Sequence, residues 1–324
     1  MQYRNLGRTG ISVSEIGFGG WGIGGWGERD DAAALNALRR AHDLGVTFYD
    51  TALGYGDGHS EGLIGKALKS ERHKIVIASK IPPKTFRWPV KPSEPLAETF
   101  PADWIIKCTE ETLRNLGSDY VDVQQLHAWT DAYTQHDEWR DAFLRLKQQG
   151  KIRAFGVSAN DWDPYGAVGL ARSGRVDSIQ VIYNIFEQRP AEQLLPAALA
   201  SQVGIIVRVP FEEGLLTGKL GPGYQFAEGD WRAEWLTPDR LAEAAPRVEA
   251  LQAFLAPDRP DLPRLALKFC LSNPAVTTVI PGMRSPAHVE NNVSASDRRL
   301  LDAKTLDSLR AHAFVHGWSY PWAA

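Results

Sequence analysis

Short apolar runs recur along the chain, separated by stretches with helical spacing. Their alternation and β-branched or aromatic content predict strands at Val13–Phe18, Val46–Tyr49, Ile75–Ser79, Val121–Leu126, Ile152–Val157, Ser178–Ile182, Gly204–Val209 and Thr277–Ile280. Between them, DDAAALNALRRAHDLG predicts a helix with Asp30 and Asp31 at its amino end and Gly45 at its stop. WIIKCTEETLRNLG predicts another, with Asp103 at the N-cap and Gly117 ending it. Several strands repeat at intervals of about 30 residues, the length of one strand–helix unit in a parallel sheet. Eight such units close most economically into an α/β barrel, a (β/α)8 TIM barrel, whereas an open doubly wound sheet usually stops at five or six strands. The opening QYRNLGRTGISVSEIGFG predicts an additional amino-terminal hairpin turning at Arg8, Thr9 and Gly10. Three long rim loops are expected, at Ile81–Ala102, Phe211–Leu262 and Ala311–Ala324.

Polar residues stand where several of these strands should end. Asp50 follows VTFY and leads to Tyr55, Lys80 follows IVIAS, and His127 follows VDVQQL. The carboxyl end of a parallel strand faces the ligand crevice, so a carboxylate, a phenol, an ammonium and an imidazole are expected to converge there. A phenol has an ordinary pKa of about 10 and is a weak acid at neutral pH. A lysine cation at ~4 Å favours the phenolate by roughly 4 kcal/mol at an effective dielectric of about 20, or up to ~3 pKa units, with burial opposing it. Asp50 can hold Lys80 charged, and a neutral His127 can orient a carbonyl oxygen. Taken singly, Asp50 caps a turn as readily, Lys80 serves as a loop lysine, and His127 as a satisfied rim histidine. The four types at successive strand exits are harder to produce by packing, and point to redox chemistry on aldehydes or ketones.

Composition narrows the class further. The 324 residues, 44% hydrophobic with net charge −3, suit one soluble domain spanning the whole chain and give no basic stripe for nucleic acid. Cys108 and Cys270 form neither a metal spacing nor a redox pair, and no stretch approaches the roughly 18 apolar residues of a membrane helix, so a cytoplasmic protein is expected. GFGGWGIGGWG contains two overlapping matches to GxGxxG, on Gly17, Gly19, Gly22 and on Gly22, Gly24, Gly27. Neither reads as a dinucleotide fingerprint, because Glu28, Asp30 and Asp31 occupy the approach to the following helix and repel phosphate.

DTALGYGDGHSEGLIGKAL closely resembles the D-T-A-x-x-Y-G-x-G-x-S-E block of the aldo-keto reductases, and IASK, LHAW, GVSAN, PFEEGLLTGK and VIPGMRSPAHVENN follow in that family's order. The resemblance implies a (β/α)8 barrel that reduces a carbonyl without metal, taking hydride from NADPH, with NADH remaining open. It makes Tyr55 the proton donor, Lys80 its partner, Asp50 the anchor of that lysine, and His127 the group that orients the carbonyl. Ser158, Asn160 and Gln180 match the positions that hold the nicotinamide carboxamide, although this chain reads Ser158-Ala159-Asn160 where relatives have Ser-Asn. Arg208 stands where relatives place an aromatic ring, and is expected to stack on or lie beside the nicotinamide.

The remaining implied cofactor contacts are Gly20, Trp21, Asp50, Val209, Pro210, Phe211, Gly214, Lys219 and Gly282, with Lys219 and the backbone near Pro210 and Gly214 along the pyrophosphate. Arg284 would meet a 2′-phosphate, Asn291 and Asn292 would lie near the adenine, and His288 stands where relatives carry arginine or glutamine. Trp21, Trp88, Trp129 and Trp231 are expected to line the pocket of a small-molecule carbonyl substrate. A sugar or polyol dehydrogenase running the reverse reaction, or a cofactor-binding sensor subunit, are the alternative readings of the same residues.

Overall fold

The computed structural model describes residues 1–25 and 30–323, so Gly27 and Glu28 of the glycine-rich segment lie outside the described residues. Among the described residues there are ten strands: β1 (Tyr3–Asn5), β2 (Ser12–Ser14), β3 (Phe18–Gly19), β4 (Phe48–Asp50), β5 (Val76–Ile81), β6 (Val121–Leu126), β7 (Ile152–Ser158), β8 (Ser178–Ile182), β9 (Gly204–Arg208) and β10 (Val276–Val279). β3 to β10 form one parallel sheet in sequential order. The bridges Ile16↔Val279 and Gly19↔Gly282 join its two edges into the expected barrel. Around it run α1 (Asp31–Asp43), α2 (His59–Ala67), α3 (Leu96–Thr99), α4 (Ala102–Leu116), α5 (Glu138–Gln148), α6 (Val168–Ser173), α7 (Leu194–Ala200), α8 (Arg232–Trp235), α9 (Pro238–Ala250), α10 (Leu262–Leu271), α11 (Pro286–Val293) and α12 (Ala303–Arg310).

Local chemistry accounts for the helix ends. The Asp30 side chain accepts from the Ala33 N–H and starts α1, and the chain turns at Gly45 with φ +85°. α4 starts two positions earlier than its sequence indicates. Pro101 is its N-cap and Asp103 lies in the first turn, where a carboxylate still favours the helix dipole. It ends at Gly117 in the left-handed region. Its buried Ile105, Cys108, Thr109, Thr112 and Leu116 make one stripe at helical spacing, which packs on the barrel exterior.

The segment expected to form one strand from Val13 to Phe18 divides in two. β2 pairs antiparallel with β1, and only Phe18–Gly19 joins the barrel. The resulting hairpin puts Leu6, Ile11 and Val13 against Phe48, Val76, Val123, Ala154 and Ile206 of the barrel interior, where they close its amino end. The glycines that follow serve close packing. A Cβ on Gly19 would sit 2.6 Å from the Ile280 carbonyl oxygen, and one on Gly20 2.6 Å from that of Asp50. The stretch Phe211–Leu262, expected as loop, contains α9, started by Thr237 as N-cap and Pro238 in the first turn. No helix among the described residues is long and apolar enough to cross a membrane.

Candidate active site

Strand parity decides which side chains reach the crevice. Phe48, Val76, Ala78, Val123, Ala154 and Ile206 face the interior, while Tyr49, Ile77, Ile179, Val181, Ile205 and Val207 pack outward against the helices. Two residues further along β4, β5, β6 and β9, and four along β7, the inward series therefore reaches Asp50, Lys80, Gln125, Arg208 and Ser158. By the same rule Ser178 and Gln180 of β8 face inward, and His127 continues the Val123–Gln125 series just past β6. Tyr55 lies on the turn after β4.

These groups form a connected set. Lys80 Nζ donates to Asp50 Oδ1 at 2.5 Å, to the Thr51 carbonyl at 2.8 Å and to Tyr55 Oη at 3.2 Å, so all three of its protons have acceptors. Gln180 Nε2 donates to the second Asp50 oxygen at 2.8 Å. The Tyr55 ring meets His127 edge-on at 5.6 Å between centroids and Trp21 at 4.8 Å. Trp88 meets His127 from the other side at 6.0 Å.

Burial dominates the titration of this set. It is the largest effect on Lys80 and opposes the ammonium, but the charges and hydrogen bonds of Asp50 and Tyr55 outweigh it and hold the lysine above its ordinary pKa. Burial raises the Tyr55 pKa, with Lys80 and Arg208 pulling back, so the phenol keeps its proton at neutral pH. The net direction is thus opposite to that of the lysine alone. Burial, then Lys80 and Arg208, push His127 well below the ordinary histidine value and leave the imidazole neutral. Its Nδ1 is buried without a partner among the described residues.

Several expected binding residues are already engaged. The Asn160 amide is bound at both ends to Val90, accepting from its N–H at 3.2 Å and donating to its carbonyl at 2.9 Å. It holds the loop after β5, committing one N–H and one oxygen lone pair of the amide to that loop. Arg208 is tied to the Ala159 carbonyl at 3.0 Å and to Asp161 at 2.8 Å. Asn291 accepts from Arg264, and Asn292 Nδ2 donates to the Gly282 carbonyl at 3.5 Å. Ser158 is buried at the end of β7, in register with Gln180.

Val209 lies in the left-handed region, its carbonyl accepting from Asn184, and Pro210 leads into the turn Phe211–Gly214, where the Phe211 carbonyl accepts the Gly214 N–H. The stem of Arg284 packs over Gly22, and Arg284 and Lys219 both lower the His288 pKa after burial, so these three side chains are near one another. They stand at the amino end of α11, which Ser285 caps. A basic group beside a helix amino end fits an anionic dinucleotide, as does the unpaired buried Nε of Arg208 beside the tetrad.

Trp129 requires a correction. It is fully buried, and its described ring partners are Tyr133 and Trp139, so it belongs to the outer core. Trp322, from the expected rim loop Ala311–Ala324, stands beside Trp21 and Trp231, which it meets at 6.3 Å and 4.9 Å. The carboxyl-terminal tail brings it there. His316 pairs with Glu212 at 2.7 Å, the Tyr320 hydroxyl donates to Glu213 at 2.6 Å, and Ala323 bridges to Trp88.

Glu212 and Glu213, both with positive φ, present these carboxylates side by side. Burial pushes the Glu213 carboxyl up to about 7, with Glu212 adding to it and Tyr320, Arg232 and Arg208 opposing. A carboxyl released to solvent returns toward the ordinary 4.5, so the docked tail binds the extra proton. Docking is therefore strongest in acid and weakens as pH rises from about 4.5 through 7. Acrylamide quenching of tryptophan emission should increase over that range and stay level in Glu213→Gln, which keeps the acceptor for Tyr320. A wild-type response as level as the variant's would contradict the assignment.

A parallel barrel whose strand ends assemble a phenol, an ammonium, a carboxylate and a neutral imidazole defines an oxidoreductase of the carbonyl-reducing type. Residues 15–313 match the model of the aldo/keto reductase family, and the chain belongs to that family, whose members use nicotinamide cofactors. It is 32% identical over 302 residues to aldo-keto reductase YhdN of Bacillus subtilis (90% of this chain, 87% of the relative). It is also 32% identical over 317 residues to the NADH-specific methylglyoxal reductase of Escherichia coli (92% and 94%). Among solved structures, the holo form of aldo-keto reductase AKR11C1 from Bacillus halodurans superposes with a TM-score of 0.77 at 29% identity, covering 97% of this chain and 96% of its own.

Proposed function

We propose that this chain reduces an uncharged aromatic or aliphatic aldehyde or ketone, with NADPH preferred over NADH and Tyr55 as the acid. The observation that carries the reading is the Asp50–Lys80–Tyr55 chain beside a neutral His127. A bound reduced nicotinamide supplies the hydride for the carbonyl carbon. His127 Nε2–H orients the carbonyl oxygen without adding charge, and Tyr55 gives that oxygen its proton. Lys80 steadies the phenolate left behind, and Asp50 with Gln180 keeps the lysine charged and fixed. Trp21, Trp88, Trp231 and Trp322 surround the reacting position with apolar surface, which supports an uncharged substrate and keeps water out.

Arg284 and Lys219 support the preference for NADPH, because two cations beside the amino end of α11 suit the additional 2′-phosphate. His288, held neutral, adds little charge. Quenching of tryptophan fluorescence by NADPH and NADH in parallel tests this. Tighter binding of NADPH is expected, and Arg284→Ala should erase most of the difference while leaving NADH affinity near the wild type. Equal or tighter NADH binding would move the protein to the specificity of its Escherichia coli relative, an NADH-specific reductase.

A further inference from the structure

We infer that Arg208 anchors the nicotinamide carboxamide in place of Asn160, by donating from its Nε to the carboxamide oxygen. The inference rests on the reading of the site as a nicotinamide pocket. Both ends of the Asn160 amide are directed at Val90, and Gln180 Nε2 is directed at Asp50. Arg208 lies against the same segment. One of its terminal nitrogens donates to the carbonyl of Ala159, the residue between Ser158 and Asn160, and pairs with Asp161. Two acceptors on one nitrogen hold the guanidinium plane.

The side chain is 16% exposed, and its Nε is buried with no partner among the described residues. Arg208 follows Ile206 in the inward series of β9, so its side chain enters the crevice that holds Asp50 and Lys80, and it acts electrostatically on Asp50, Tyr55 and His127. A buried N–H without an acceptor is costly, and native proteins rarely leave one unless a ligand or water completes it. Arginine has donors only, so it reads the carboxamide oxygen and leaves the amide nitrogen to Ser158 and the Gln180 carbonyl. The added alanine at position 159 supplies the carbonyl on which the guanidinium rests.

The test compares the affinity of wild type, Arg208→Met and Arg208→Lys for three ligands by fluorescence titration: the natural reduced cofactor, its 3-acetylpyridine analogue and its thionicotinamide analogue. The acetylpyridine keeps the carbonyl oxygen and lacks the NH2, whereas the thioamide replaces the oxygen with a poor acceptor. Both variants should bind the natural cofactor and the acetylpyridine analogue about 10- to 100-fold more weakly, the range of one hydrogen bond to a charged donor. Their loss on the thioamide should be threefold or less. Lysine keeps a cation for Asp161 but has no Nε donor, so it controls for a folding defect in the methionine variant. An equal loss on all three ligands, or none on the natural cofactor, would overturn the assignment. Wild type that binds no reduced nicotinamide at all would instead remove the reading of the site, and this inference with it.

Discussion

Tyr55→Phe is expected to bind reduced cofactor with wild-type affinity and to lose about 10²–10⁴-fold in kcat, the range of a positioned general acid. The change removes one oxygen from a buried ring whose other contacts, the edges of Trp21 and His127, survive. Binding and turnover should therefore separate. Steady-state kinetics beside a cofactor titration checks it, and turnover within tenfold of wild type would remove Tyr55 as the acid. The high phenol pKa sets the sign of the pH dependence. Tyr55 holds its proton through neutrality, so kcat should fall on the alkaline side as the phenol ionises. On the acid side the fall should begin below the ordinary histidine pKa, because His127 resists protonation.

Lys80→Met should cost both activity and stability. Lys80 is fully buried and Asp50 is 3% exposed, and the lysine gives its three protons to Asp50, Thr51 and Tyr55. Removing it strands a buried carboxylate, which typically costs about 3–5 kcal/mol. Denaturant unfolding should show that loss, with kcat also reduced because Tyr55 loses its cation. Adding Asp50→Asn to Lys80→Met removes the stranded charge and should recover much of the stability, with activity remaining low. A double variant no more stable than the single one would show that the cost comes from lost packing, not from the uncompensated charge.

The convergence of Asp50, Lys80 and His127 was legible because it depends on a two-residue period. Once Phe48, Val76 and Val123 face inward, Asp50, Lys80 and His127 must follow them to the crevice. The barrel was legible for the same reason, since each strand–helix unit carries its own pattern. Contacts between distant segments had no such signal. Asn160 meets Val90 across 70 positions, Glu212 meets His316 across 104 and Glu213 meets Tyr320 across 107. Nothing local in the sequence marks which residues the tail meets, or Asn160 as already engaged.

Trp129 misled because an aromatic residue two positions past His127 suits a rim and a core equally, and the burial of its ring decides between them. The α9 helix was hidden differently. Thr237 and Pro238 are a good start signal, but Pro246 inside the segment argues for a loop, and the fold accommodates it within the helix.

The most direct test of the account is a single turnover with reduced cofactor carrying deuterium at both C4 positions and an aromatic aldehyde, run on wild type and Tyr55→Phe. Wild type should place one deuterium on the carbinol carbon of the alcohol, and Tyr55→Phe should bind the same cofactor and form product about 10²-fold more slowly, or slower still. Alcohol without deuterium, or equal rates in the two proteins, would contradict it.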